Sequence, residues 1–175
     1  MANRRTQKGF SLIELLIVVA IILIIAAIAI PNLLRARIAA NEASAVGSIR
    51  TIVTAEISYS NSFQTGPSAN LQQLETPGTG CVTAALTAAC LIDASLGSGT
   101  KSGYTFKELG NGGTAGSTTN PNTGFEATAN PQTPGTTGQR SFCADMSGVL
   151  HWTASTVIAD TQGTCAGEGV AQVLQ

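Results

Sequence analysis

The chain has 175 residues, a formal net charge of −1, 43% hydrophobic residues and only 11% charged residues. This charge balance argues against a surface that binds nucleic acid in general. The sequence contains one histidine, His151, and lacks the nucleophile-elbow, phosphate-loop and paired-carboxylate motifs of enzymes. Composition therefore predicts no enzyme activity and no cofactor.

The N-terminal segment changes abruptly from polar to apolar. Residues 1–9 are polar and basic, whereas residues 15–30 contain no polar side chain. As a helix, residues 10–30 would span about 32 Å, which matches a hydrocarbon core of about 30 Å. One carboxylate, Glu14, lies near the start of this segment. A buried charge costs several kcal/mol unless it is paired, so Glu14 requires a partner.

The stretch MANRRTQKGFSLIELLIVVAIILIIAAIAIPNLLRAR resembles the N-terminus of a type IV prepilin with a class III signal peptide. Type IVa-like major pilins and type II secretion pseudopilins share this pattern. The resemblance implies that a prepilin peptidase cuts between Gly9 and Phe10 and methylates the new amine of Phe10. It also implies that Phe10, Glu14 and Pro31 serve filament assembly, with Glu14 paired to the amine of a neighbouring subunit.

Three other readings of the segment make different predictions. A secretory signal would place a small-residue cleavage site after the apolar run, and residues 30–34 have no such pattern. A twin-arginine signal fits Arg4 and Arg5 but not a carboxylate within the apolar region. A plain transmembrane anchor explains the apolar run and its flanking cations, but it does not explain Glu14.

Pro31 interrupts the regular helix pattern. Proline lacks the backbone N–H that would bond the carbonyl of Ala27, so the helix is expected to kink or loosen there. In filaments of the resembled family, the stretch equivalent to residues 23–30 loses helical structure on assembly. A static kink in a membrane helix is the other reading, and the sequence favours neither.

The helix is predicted to continue with an amphipathic second half. Polar residues separate apolar ones at largely helical spacings, and residues 65–68 (TGPS) predict a helix end near Phe63. The predicted apolar stripe consists of Leu34, Ile38, Val46, Ile49, Val53 and Ile57. The predicted polar positions are Arg35, Arg37, Asn41, Glu42, Ser48, Arg50 and Thr54.

The remaining sequence is rich in Gly, Ser, Thr, Asn and Pro and predicts short strands. The strand candidates are residues 101–109, 123–130, 140–145 and 149–153, with a hairpin turn at residues 146–148. Residues 111–122 and 131–138 are predicted loops. The economical fold is α+β, with a long N-terminal helix packed on a small antiparallel sheet.

Four cysteines, Cys81, Cys90, Cys143 and Cys165, suit a region that folds outside the cytoplasm. Three pairings are open. Joining Cys81 to Cys90 closes a local loop, which must fold back because nine helical steps would separate them by about 13 Å. The resemblance to pilins favours Cys143 with Cys165. The spacings lack the close C-x-x-C pairs of zinc sites, so no metal site is predicted.

These observations predict three regions: a cleaved leader at residues 1–9, a helix at residues 10–63 and a disulfide-tied sheet region at residues 64–175. Residues 10–30 would form the membrane and filament core. Cleavage would leave six Lys and Arg against ten Asp and Glu.

The resemblance implies a structural subunit that polymerises with its own copies into a helical type IV pilus filament. The precursor would lie in the inner membrane, meet the prepilin peptidase and the assembly machinery there, and end in an extracellular filament on the cell surface. A major pseudopilin is the nearest alternative function. A monomeric membrane-anchored binding protein is the alternative of a different class.

Overall fold

The computed structural model describes residues 9–77, 80–81, 83–114, 116–154, 157–158, 165 and 172–174. The predicted leader lies outside these residues except for Gly9. The chain divides into two compact units, Met1–Ala36 and Arg37–Gln175.

Helix α1 covers Leu12–Phe63 and has 52 residues. It ends at the predicted residue, since Gln64 adopts a left-handed φ of 56° and Gly66 one of 73°. A Cβ atom at Gly66 would lie 2.0 Å from the carbonyl oxygen of Asn122. Only glycine fits this close approach. The segment that ends α1 therefore also packs against the backbone at Asn122.

The buried face of α1 differs from the predicted stripe. Ile49 is buried as expected, but Ile57 is 55% exposed and Leu34 52% exposed. Glu42 and Ser48, which the polar pattern placed on the outer face, are buried. The buried residues of α1 are Glu42, Ala45, Ser48, Ile49, Ile52, Ala55, Glu56 and Tyr59. The small alanine and serine side chains on this face let the helix lie close to the rest of the unit, and Glu42 and Glu56 accept hydrogen bonds there.

The described part of the chain forms a six-stranded sheet in sequence order, with every neighbouring pair antiparallel. The predicted α+β fold is thereby confirmed. The strands are β1 Thr100–Lys101, β2 Tyr104–Asn111, β3 Gly124–Pro131, β4 Arg140–Asp145, β5 Leu150–Ala154 and β6 Gln172–Val173.

Four predicted strand regions correspond to β1 with β2, β3, β4 and β5. Residues 101–109 were predicted as one strand, but a turn at Ser102 and Gly103 separates β1 from β2. Both residues have positive φ, 50° and 74°. The sequence analysis missed β6 and two short helices, α2 Leu71–Leu74 and α3 Ala94–Gly97. Residues 111–122 and 131–138 connect strands as predicted, apart from the strand ends at Asn111 and Pro131.

The sheet has two faces with different coverings. The inner face carries Phe106, Ala127 and Phe142, which pack in one core with Ile49 and Ile52 of α1. The outer face carries the alternate residues of the strands. There, a second buried cluster contains Cys143, Ile158 and Cys165. Two layers around the sheet therefore bury apolar side chains on both of its faces.

Glu42 of α1 joins the helix to the start of β4. Its Oε1 accepts hydrogen bonds from the backbone N–H groups of Gln139 (2.9 Å) and Arg140 (3.1 Å). Its Oε2 accepts from Arg140 Nε at 2.8 Å and lies 2.7 Å from an Arg140 terminal nitrogen. The Arg140 guanidinium also lies over the rings of Phe142 and Trp152, at 5.4 and 5.3 Å. This cluster fixes one end of the sheet against α1.

The structure joins Cys81 to Cys90 and Cys143 to Cys165, with Cα–Cα distances of 5.8 and 5.6 Å. The first loop folds back through reciprocal backbone hydrogen bonds between Ala85 and Ala88, both 3.0 Å. This turn brings Cys81 and Cys90 within disulfide distance, which a straight helix between them would not allow.

Each disulfide has a polar contact beside it. The hydroxyl of Tyr59, on α1, donates to the carbonyl of Leu86 inside the first loop at 2.8 Å. On the outer face, the side chain of Asn130 donates to the carbonyl of Ile158 (3.0 Å) and accepts from its N–H (2.9 Å). The first disulfide thus supports the connection after α1, and the second supports the covering of the outer face.

We expect Glu42→Ala to lower the free energy of unfolding by about 2 to 4 kcal/mol, because it removes the acceptor of several hydrogen bonds and leaves Arg140 without its partner. Arg50→Ala, an exposed position on the same helix, should change it by less than about 0.5 kcal/mol. Denaturant unfolding of the full chain in non-ionic detergent, followed by Trp152 fluorescence, measures both. Equal effects of the two substitutions would contradict the role given to Glu42.

The two disulfides should protect different parts of the second unit. Replacing Cys81 and Cys90 by serine should speed hydrogen exchange around Leu86 and at the end of α1. Replacing Cys143 and Cys165 by serine should speed it in β4 and at Ile158. Peptide mapping without reductant followed by exchange mass spectrometry tests both expectations. A dominant peptide linking Cys90 to Cys143 would contradict the pairing and the division of roles.

Candidate functional site

The start of α1 brings together the residues expected at the processing and assembly site. Gly9 and Phe10 directly precede the helix, and Ser11 occupies the N-cap position. The backbone N–H of Ser11 donates to Glu14 Oε2 at 3.0 Å. A glutamate three residues after a serine cap forms this bond in a capping box. Glu14 therefore has a local role within its own chain, which the S-x-x-E spacing encodes and the sequence analysis did not use.

The second oxygen of Glu14 is free for another contact. Within the described residues, the structure gives Glu14 Oε1 no hydrogen-bond donor. Glu14 is exposed, as are its neighbours in the first turns of the helix. The carboxylate can thus keep its capping bond and accept a second donor from outside the chain.

Gly9 lies in open space. A Cβ atom built on it would have no heavy atom within 4 Å. A Cβ atom at this position therefore disturbs no contact in the described part of the chain. A requirement for glycine at position 9 would come from whatever recognises this junction.

The apolar side chains of the first unit lie on its surface. Phe10 is 87% exposed, and the others up to Leu34 are between 44% and 76% exposed. The helix is long and apolar enough to cross a membrane by length and composition. The exposed apolar residues are Phe10, Leu12, Ile13, Leu15, Leu16, Ile17, Val18, Val19, Ile21, Ile22, Leu23, Ile24, Ile25, Ile28, Ile30, Leu33 and Leu34. Such a continuous apolar surface requires lipid or other protein around it.

Pro31 lies within α1, and residues 23–30 before it are helical. The helix therefore accommodates the proline in this state of the chain. The loss of helical structure that the family resemblance implies belongs to assembly, and it stays a prediction.

The four cysteines belong to the second unit. His151 lies on β5 opposite Cys143. Among the residues that the structure describes, no group of three or more His, Cys, Asp and Glu side chains has an arrangement that could hold a metal ion. The described part of the N-terminal segment offers an apolar surface and one carboxylate, Glu14, directly after the Gly9–Phe10 junction.

Comparison with known proteins agrees with this geometry. Residues 4–30 match the prokaryotic N-terminal methylation motif. The chain is 53% identical over 60 residues to the type IV wide pilus major component PilA4 of Thermus thermophilus. It is 46% identical over 53 residues to the type IV major pilin protein PilA of Myxococcus xanthus.

These matches cover part of each protein. They include 34% and 30% of this chain, and the chain spans 40% of the first relative and 24% of the second. No solved structure matches the chain significantly. The predicted resemblance is thereby confirmed: this chain carries the prokaryotic N-terminal methylation motif and resembles major subunits of type IV pili.

Proposed function

We propose that this chain is the structural subunit of a type IV pilus and polymerises with its own copies. The observation that carries the proposal is the exposed apolar surface of α1 with a single carboxylate in its first turn. Lipid would cover this surface before assembly, and the helices of neighbouring subunits would cover it afterwards. The similarity to two major pilins supports the same function.

Cleavage after Gly9 would change the preferred environment of the helix. It would remove Arg4, Arg5 and Lys8, the cations that hold the amino end at the cytoplasmic side of the inner membrane. It would also create an amine at Phe10. A prepilin peptidase would cut this junction. The matched N-terminal methylation motif indicates that the new amine is then methylated.

The new amine would pair with Glu14 of a neighbouring subunit. Among closely packed apolar helices the local dielectric is low, so an unpaired carboxylate and an unpaired amine each carry a large free-energy cost. Their pairing fixes the axial register of one subunit against the next. The free Oε1 of Glu14 can accept this contact while Oε2 keeps its bond to Ser11.

Electron microscopy of sheared fibres, with the fibre subunit identified by its mass, tests the proposed function. Fibres built from this chain, together with loss of surface fibres in a deletion strain, are the expected results. A secretion defect with intact surface fibres would instead indicate a pseudopilin. A chain found only as a membrane-bound monomer would contradict polymerisation.

The processing step predicts a mature chain that begins with methylated Phe10. Gly9→Leu should block cleavage and leave the precursor in the membrane, because the peptidase of the resembled family cuts after a glycine. A Cβ atom at position 9 meets no heavy atom within 4 Å, so we expect the substitution to leave folding unchanged. Intact-mass measurement of membrane and fibre fractions checks this. The proposed processing is wrong if fibre subunits of the wild type retain residues 1–9.

The paired-charge role of Glu14 predicts that Glu14→Val enters the membrane at least as well as the wild type but yields few fibres. Glu14→Gln separates this role from capping, since its amide oxygen can still accept from Ser11 but cannot balance an amine. We expect both variants to lower fibre yield by about tenfold or more, because an unpaired amine in the packed helices is costly. Fibre yield relative to membrane-bound subunit is the measurement, and normal yield from the glutamine variant would show that capping alone is required.

A further inference from the structure

Two glutamates from different elements meet at one serine inside the second unit. Glu56 lies on α1, Ser68 follows the end of that helix, and Glu108 lies on β2. Glu56 and Ser68 are 0% exposed and Glu108 is 3% exposed. Neither carboxyl group takes part in the proposed assembly chemistry.

The oxygen distances require a shared hydrogen. Ser68 Oγ lies 2.5 Å from Glu56 Oε1, 3.1 Å from Glu108 Oε2 and 3.2 Å from the carbonyl oxygen of Asn70. A serine hydroxyl has one hydrogen to donate, and a carboxylate has none. If both glutamates were ionised, at least one of the carboxylate contacts would join two oxygens without a hydrogen between them.

The remaining bonds assign the hydrogens. The backbone N–H of Ser68 donates to Glu56 Oε2 at 2.8 Å, and the short contact to Oε1 has the length of a hydroxyl bonded to a carboxylate. Both oxygens of Glu56 are thus acceptors. Since the Ser68 hydroxyl donates to Glu56 in its shortest contact, it has no second hydrogen for Asn70 or Glu108. The carbonyl of Asn70 cannot donate, so the hydrogen in the contact with Glu108 comes from the carboxyl group of Glu108.

We propose that Glu108 is a neutral carboxylic acid that donates to Ser68, which in turn donates to the carboxylate of Glu56. This chain of hydrogen bonds connects β2, the segment after α1, and α1 itself. The dissociable proton is the one on Glu108. Its removal breaks the hydrogen bond between Glu108 and Ser68. The three residues form a pH-dependent clasp between the helix and the sheet.

The surroundings favour this protonation state. In the described part of the chain, neither carboxyl group bonds a lysine or an arginine, and Glu108 Oε1 is buried without a hydrogen-bond partner. An ionised oxygen there would lack both a donor and a counterion, which is costly in the interior.

The nearby titratable groups act in the same direction. Burial, and then the charge of Glu56, raise the pKa of Glu108 to about 9. Burial also raises the pKa of Glu56, although its bonds from Ser68 oppose the shift. Tyr59 on α1 faces both glutamates, and after burial their charges raise its pKa, so it remains neutral beside them.

A raised carboxyl pKa has a defined effect on stability. Between the ordinary glutamate value of 4.5 and about 9, the folded chain holds a proton that the unfolded chain has released. The contribution of Glu108 to folding stability is therefore complete below pH 4.5, and it decreases as the pH rises toward about 9. Depressed aspartate and glutamate pKa values give the opposite dependence.

Infrared spectroscopy of the full chain in non-ionic detergent tests the proposal directly. At neutral pH the wild type should show the carbonyl band of a protonated carboxylic acid, and this band should disappear on raising the pH with a midpoint near 9. Glu108→Gln should lack the band, whereas Glu75→Gln, a change in a partly exposed glutamate, should retain it. Absence of the band from the wild type at neutral pH, or its persistence in Glu108→Gln, would overturn the proposal.

Thermal unfolding supplies a second test. The unfolding midpoint of the wild type should fall from about pH 5 to about pH 9, and Glu108→Gln should reduce that dependence while remaining folded. Glu56→Gln should unfold at lower temperature throughout, because its amide N–H₂ would face the donors of Ser68. If calcium or magnesium raises the midpoint of the wild type but not of Glu108→Gln, a cation occupies the place of the proton and the proposal fails.

Discussion

The exposed apolar surface of residues 10–34 is the constraint on which the rest of the account depends. A surface of this length cannot remain in water, and its own chain does not cover it in the described structure. Lipid and neighbouring helices are the two environments that can cover it. The proposed cleavage before the helix, together with the carboxylate in its first turn, would let the helix pass from one environment to the other.

In the second unit, the same helix packs against the sheet instead of exposing an apolar surface. There α1 buries small residues together with glutamates, so polar contacts supplement apolar packing against the sheet. Glu42 bonds Arg140 and the backbone before β4, and Glu56 bonds Ser68 beside Glu108. The outer face of the sheet is covered separately, through the Cys143 disulfide and Asn130. A small domain with a limited core gains from such ties.

Much of this architecture was readable in the sequence because its signals are local. The uninterrupted apolar run, the stop after Phe63 and the alternation in β2 each follow from neighbouring residues. The buried face of α1 did not follow, because Ala45 and Ala55 give a weaker pattern than the larger Leu34 and Ile57. Buried Glu56 and Glu108 look like solvated residues in sequence. Their partners lie up to 40 residues apart, and only the tertiary fold brings them together.

The central claim is that subunits assemble through their apolar helices with a charge pair that sets the register. A cryo-electron microscopy reconstruction of the native fibres tests it most directly. The account predicts a core of packed helices in which the carboxylate of Glu14 lies within hydrogen-bond distance of the Phe10 amine of an adjacent subunit. A reconstruction in which Glu14 faces solvent, or in which the Phe10 amine lies far from every Glu14, would contradict it.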